Sequence, residues 1–263
     1  MSAPDYSTEL IRCEIGDDHV ATVTMAAGPV NAQSQPFHDQ MMQVFDTLSD
    51  APEVRAILLC SDFKHFSAGA EIKNRANAKR GPGDHWQHSR RARECFHSIM
   101  ECRTPVVAAV GGVALGAGLA LVASADIIVC ADDARLGLPE INVGLAGGGR
   151  HCMRLFGHSR MRRMMFTGMQ VSGEECYRLG VAEACVPRDE LIPTAHAIAA
   201  EIASKSPVAM EIAKHSANTF EEMSLRDGYR FEQTMTWELG KSEDSKEAML
   251  AFAEKRKPVF KGR

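Results

Sequence analysis

The run from Pro105 to Val129 is the stretch that most narrows what this chain can fold into. It is apolar almost throughout, yet Gly111, Gly112, Gly116 and Gly118, then Ser124 and Asp126, interrupt it. No apolar run in the chain reaches the roughly 18 residues of a membrane-crossing helix. Thr104 to Val110 reads as a buried strand, Ala117 onward as an Ala/Leu helix, and Asp126 to Ala131 as a second strand. Strand, glycine turn, helix and strand in this order argue for an α/β fold with parallel pairing. The same order places a helix N-terminus, with its unpaired N–H donors, directly after a strand. Such a terminus suits an oxyanion or a phosphate. Small residues there also serve close helix–strand packing. The spacing Gly112-x3-Gly116-x-Gly118 fits neither a dinucleotide fingerprint nor a P-loop.

The rest of the first half continues the alternation. Val20 to Met25 has period two among β-branched residues and reads as a strand. Gln35 to Leu48 places Phe37, Met41, Met42, Phe45 and Leu48 at helical spacing. Ala56 to Cys60 reads as another buried strand, and Asn74 to Asp84 as a loop. From about Ser159 the patterns are helical almost throughout. Ser172-Gly173-Glu174-Glu175 opens one helix, and Pro193–Lys205, Pro207–Phe220 and Ser242–Lys255 predict others. The expectation is an α/β core over residues 1–195 and a helical segment over 196–263. A helical tail without a large core of its own is expected to dock on a neighbouring subunit.

Composition excludes some classes of function. With 263 residues, 45% of them hydrophobic, the chain can bury a sizeable core. A net charge of -4 gives no general attraction for nucleic acid or anionic membranes. The basic run Arg150, His151, Arg154, His158, Arg160, Arg162 and Arg163 is therefore read as a polar helix face or subunit contact rather than an RNA site. The eight cysteines form no C-x-x-C pair, and several sit in apolar runs, so they read as buried hydrophobes of a reducing compartment and no metal site is expected. The first residues lack a basic stretch followed by an apolar one, so cytoplasm is the expected location.

Two further segments carry candidate chemistry. Phe66-Ser67-Ala68-Gly69-Ala70-Glu71-Ile72 is rich in small residues, which let a ligand approach the backbone; it equally suits a tight surface turn. Glu140 stands among apolar residues in Leu136-Gly137-Leu138-Pro139-Glu140-Ile141-Asn142-Val143-Gly144-Leu145. A carboxylate in such surroundings has its pKa raised, which suits acid/base work, although a loop or helix-start glutamate is the plainer reading.

Taken together, and in this order, the three segments resemble the crotonase superfamily, the enoyl-CoA hydratase/isomerase family. The resemblance continues through Asp126-Ile127-Ile128 and Phe166-Thr167-Gly168 to the C-terminal Glu254–Arg263. It implies a crotonase-like α/β spiral of β-β-α units with a helical C-terminal trimerisation segment, and a homo-oligomer, either a trimer or a dimer of trimers. It implies an acyl-CoA thioester as substrate, with no cofactor beyond the coenzyme A that the substrate carries. Matched residue by residue, the backbone N–H groups of Ala70 and Ala117 would form an oxyanion hole and Glu140 would be the acid/base. Ala68, Gly69, Glu71, Ile72, Gly116, Phe260 and Lys261 would contact substrate. Lys64, Lys73 and Lys257 are further candidates for the CoA phosphates, since the early loop Ala26 to Ala32 lacks the arginine many relatives carry. Phe63 to Phe66, Asn74 to Trp86 and Met161 to Met169 are candidates for the acyl pocket, with core packing the commoner role for the methionines.

Besides the missing arginine, the chain departs from the family's hydratases at a catalytic position. Where they carry a first glutamate after the glycine-rich helix start, it has Ala120. That favours a single base moving a proton between carbons over hydration. Hydration by one retained glutamate, and a non-catalytic CoA- or RNA-binding homologue, are the alternatives.

Overall fold

A computed structural model describes residues 5–72 and 81–263. In chain order, strands β1 (Ile11–Ile15) and β2 (Val20–Met25) precede helix α1 (Gln35–Ser49), then come β3 (Ala56–Ser61) and α2 (Asp84–Met100). Next are β4 (Val106–Val110), β5 (Val113–Leu115), α3 (Ala117–Ser124), β6 (Ile127–Ala131) and β7 (Arg135–Gly137). A 3-10 turn over Pro139–Val143 leads to α4 (Gly149–Leu155) and α5 (His158–Thr167). The chain continues through β8 (Gln170–Ser172), α6 (Gly173–Arg178), β9 (Ala184–Val186) and α7 (Leu191–Ala203), and closes with α8 (Pro207–Phe220), α9 (Leu225–Leu239) and α10 (Glu243–Ala253).

The strands form a 6-stranded sheet in the order β1-β2-β3-β4-β6-β9 and a 3-stranded sheet in the order β5-β7-β8. Pairing in the large sheet is parallel except between β1 and β2. The central strands β3 and β4 are apolar runs because both of their faces are covered, as parallel sheets require. The chain climbs as a spiral: a strand in the large sheet, a short extended segment in the second layer, then a helix. β4, β5 and α3 make one such turn. The second layer extends beyond its named strands, through parallel bridges Ser67↔Ala114 and Gln33↔Ala70. Gln33, the Ser67–Ala70 turn, β5 and β7 are thus successive rungs of one ladder.

One face of the large sheet packs under α1 to α3, with Phe37, Phe45, Leu59, Ile99 and Leu119 fully buried. The other face is covered by α7, whose Leu191, Ala195, Ala199 and Ala203 recur every fourth residue and meet Leu58, Val107 and Val129. Helix α7 runs across residue 195, so its apolar stripe belongs to the core and the outer helices begin after it. Lys214 of α8 is buried and ties the outer helices to the sheet: its Nζ donates to the Thr104 carbonyl at 3.1 Å and lies 2.9 Å from Asp126. Among the described residues, no helix is long and apolar enough to cross a membrane.

The sequence pattern places most long elements within two residues of their observed ends. It misses β1 and α2, whose first half is polar and exposed, gives no bounds for α9, and misses β8 and β9, which interrupt the supposedly all-helical second half. Three-residue strands are too short for periodicity to register. Helix α7 starts at Leu191, ahead of Pro193, because a first-turn proline gives up an N–H that has no helical partner. Seven cysteines are buried and Cys185 is half-buried, all as free thiols.

Candidate active site

Three backbone segments converge where β3 and β4 end. Ser67 accepts from the Leu115 N–H and donates its own to the Val113 carbonyl, at 3.0 Å each, joining the turn after β3 to β5. Gly69, at φ +91°, presses against the next stretch: a side chain there would meet Leu115 O at 2.5 Å and the Ala117 nitrogen at 3.3 Å. The peptide groups of Ala70 and Ala117 are therefore neighbours, although 47 positions separate them.

In the turn, the Ala68 N–H donates to Val30 O, the Gly69 N–H to Ser67 Oγ and the Glu71 N–H to Gln33 O. Ala70 is the exception among residues 67–71, because its N–H has no acceptor among the described residues. Ala117 opens α3, so its N–H lacks a helical acceptor by position. Gly116 caps that helix at φ 56° and ψ -115°, with no side chain to satisfy the free donors. Both Ala70 and Ala117 are half-buried and reachable.

The third segment is the 3-10 turn that carries Glu140. Its carboxyl lies against the Cα of Gly116: a Cβ there would come within 2.9 Å of the carboxyl carbon and overlap Oε1. Oε2 is buried and has no hydrogen-bond partner among the described residues. Burial pushes the Glu140 carboxyl above the ordinary glutamate pKa. An unsatisfied carboxylate oxygen beside two unpaired N–H donors can hold a carbonyl oxygen at the donors and exchange a proton at the carboxyl.

The structure brings Ala68, Gly69, Ala70, Glu71, Gly116, Ala117 and Glu140 together; Ile72 closes the turn and is exposed. It does not bring Phe260 and Lys261 to them. The Lys261 N–H donates to Asp244 Oδ1 at 2.7 Å, and Gly262 packs on Pro207. Lys261 lies by Arg103 and Pro105, at the start of β4, whereas Ala117 follows its end. Lys64 and Lys257 are exposed, while Lys73 and residues 74–80 of the expected pocket loop lie outside the described residues. Trp86 is in the first turn of α2, exposed. Met161 and Met164 are core residues, while the Met165 and Met161 sulfurs approach Gly149 at the start of α4.

Ala120 is 1% exposed and belongs to the main core, and its N–H donates to Gly116 O. Much of the basic run is neutralised: Arg150 pairs with Glu222, Arg154 with Glu221 and Arg160 with Glu175. Burial, and then the electrostatic influence of His97, Arg154 and Arg150, hold His151 below the ordinary imidazole pKa. The sequence reading passes over Gln33, whose backbone brackets Ala70. A polar residue soon after the early glycine-proline turn was the one available signal, and surface loops carry such residues routinely.

Comparison with known proteins gives the class. The sequence profile described as enoyl-CoA hydratase/isomerase matches residues 16–263. The solved structure of an enoyl-CoA hydratase from Mycobacterium smegmatis superposes with a TM-score of 0.90 at 28% identity, covering 96% of this chain and 99% of that one. This chain belongs to the enoyl-CoA hydratase/isomerase family, within the crotonase superfamily. It has the crotonase fold and is an enzyme of that type, acting on acyl-CoA. Among its relatives, a (7aS)-7a-methyl-1,5-dioxo-2,3,5,6,7,7a-hexahydro-1H-indene-carboxyl-CoA hydrolase of Rhodococcus jostii is 34% identical over 92% of this chain and 93% of its own length. A carnitinyl-CoA dehydratase of Escherichia coli is 33% identical over 93% of this chain and 95% of its own length.

Proposed function

We propose that the chain binds the thioester carbonyl of an acyl-CoA between the Ala70 and Ala117 N–H groups and moves a proton with Glu140 as the single acid/base. The observation that carries this reading is the juxtaposition at Gly116: a carboxyl oxygen and a helix-start N–H side by side, neither with a hydrogen-bond partner among the described residues. In the leading version the substrate is a 3-enoyl-CoA. Glu140 takes a proton from C2, the electrons pass to the thioester oxygen, and the two N–H groups stabilise the enolate. The proton returns at C4, leaving the double bond between C2 and C3. No oxidant, reductant or metal enters the balance. Ala120, an apolar core residue, supplies no second carboxylate to hold a water, which favours this version.

Water addition or removal is the second reading, and the Escherichia coli relative, named a dehydratase, favours it. The test is a panel of 2-enoyl- and 3-enoyl-CoAs in water containing heavy oxygen, scored for label and for double-bond position. Proton shuttling gives rearranged product with little label. Rapid incorporation would establish hydration, with Glu140 and a further polar group activating the water.

The outer helices 204–263 would serve assembly. Leu225, Trp237 and Phe252 are 92%, 78% and 88% exposed, an apolar load that a lone chain gains nothing by presenting to water. A trimer, or two stacked trimers, would cover it, and would be the way for Phe260 and Lys261 to reach a site, on a neighbouring copy. Sedimentation of the purified chain distinguishes these assemblies from a monomer.

A further inference from the structure

We propose that Gln33 is a positioning residue for the Ala70 N–H, acting through a buried chain of hydrogen bonds with Ser67 and His38; this rests on the reading of Ala70 as a donor to the substrate carbonyl. Two bonds from the Gln33 backbone clamp the turn on either side of Ala70. Its N–H donates to Gly69 O at 2.8 Å, and its carbonyl accepts from the Glu71 N–H at 3.1 Å. The peptide joining Gly69 to Ala70 is planar and trans, so its C=O and N–H point in opposite directions. Fixing the Gly69 oxygen on Gln33 therefore aims the Ala70 N–H away from Gln33, off the ladder. Donation to that oxygen also polarises the peptide, making its N–H a stronger donor.

The side chain sets where the backbone clamp sits. Ser67 Oγ donates to Asn31 O at 2.8 Å, which commits its one hydrogen. It then accepts from the Gly69 N–H and from Gln33 Nε2, at 3.2 Å each. With the hydroxyl proton committed, only the NH2 end of Gln33 can face Ser67. Its Oε1 is left for His38 Nε2, at 3.2 Å, and that nitrogen must carry the proton. Asn31, Gln33, His38 and Ser67 are 0%, 1%, 1% and 0% exposed. An apolar residue at 33 would avoid the desolvation of a buried amide. What the amide adds is a single geometry for the turn, because each of its two ends is held by a buried partner.

The test uses the full chain with Gln33→Leu, Ser67→Ala and the double variant. Each is compared with wild type for kcat and KM on an enoyl-CoA, and for the red shift of a bound conjugated arylacryloyl-CoA, which reports polarisation of the thioester carbonyl. Losing a donor outright costs about 100-fold or more, and misaiming it costs less, so kcat is expected to fall about 10- to 50-fold in each single variant. KM is expected to stay within about threefold, the red shift to shrink, and the double variant to be no worse than the poorer single one, because both cut one chain. Single variants with wild-type kcat and red shift overturn the proposal. Ser67→Cys keeps the size of the side chain and guards against a folding defect. If all of these variants fail to fold, the network is structural and the proposal is equally overturned. A wild type with no red shift, alongside full activity in Ala117→Pro, would instead sink the oxyanion reading itself.

Discussion

The Glu140 carboxyl rests on the bare Cα of Gly116, the residue that caps α3 beside the Ala117 N–H, which has no acceptor among the described residues. The contact couples the acid/base candidate to the donor candidate with no side chain between them. It also restricts position 116, because a methyl group there would overlap Oε1 and φ 56° with ψ -115° disfavours any L side chain.

Gly116→Ala should therefore harm both stability and catalysis. The backbone strain alone costs about 1–3 kcal/mol, and the displaced carboxyl should lower kcat/KM about 100-fold. Thermal melts and turnover with an enoyl-CoA check the two effects separately. A variant with wild-type turnover would mean that the carboxyl can leave Gly116 without consequence.

Ala117→Pro deletes a donor cleanly. Position 117 is the first residue of α3, where proline is tolerated, and the preceding glycine has a conformation that is the mirror image of the extended one proline favours there. The expected outcome is a folded chain whose kcat drops about 100- to 1000-fold, with acyl-CoA affinity changed far less. Equilibrium binding of a non-reactive acyl-CoA, set against kcat, distinguishes loss of a transition-state contact from loss of the site.

Glu140→Gln should lower turnover about 100-fold or more, since shape is kept and the base is lost. Because burial raises this carboxyl's pKa, the acid limb of the wild-type kcat/KM profile should lie at higher pH than an ordinary glutamate would place it. The sign for stability follows. The folded chain holds this proton more tightly than the unfolded chain. The associated stability is complete below the unfolded pKa and is lost as pH rises through the raised one. The glutamine variant should lack that dependence, which melts across the acid range measure directly.

Asp244 holds the C-terminal tail. It is 1% exposed and accepts from Ser206 Oγ at 2.8 Å, the Lys261 N–H at 2.7 Å and the Gly262 N–H at 3.1 Å. Asp244→Ala leaves those donors unmatched and should cost about 1–3 kcal/mol. Trypsin should then cut after Lys261 faster than in wild type. Unchanged melting and unchanged cleavage would show the tail to be held by other contacts.

The sequence by itself determined many of the long elements, though not α2, and the family. Buried parallel strands must be continuous apolar runs, so Ala56 to Cys60 and Thr104 to Val110 were legible, as was the helix start after Gly116. Glu140 stood out because an acid among apolar residues is costly unless used. These are local signals, set by propensity and spacing. Tertiary structure alone decided what meets what. That Gln33 clamps the Ala70 turn is a ladder contact between distant segments, and no local pattern encodes it. That Phe260 and Lys261 lie at the far end of β4 from Ala117 follows from the path of the tail around Asp244. That Ala120 sits in the core, while the Glu140 carboxyl reaches Gly116, depends on how the turns of the spiral stack. Short strands, buried polar pairing and end-to-end placement arise from contacts across the chain, and these exist only once the spiral has closed.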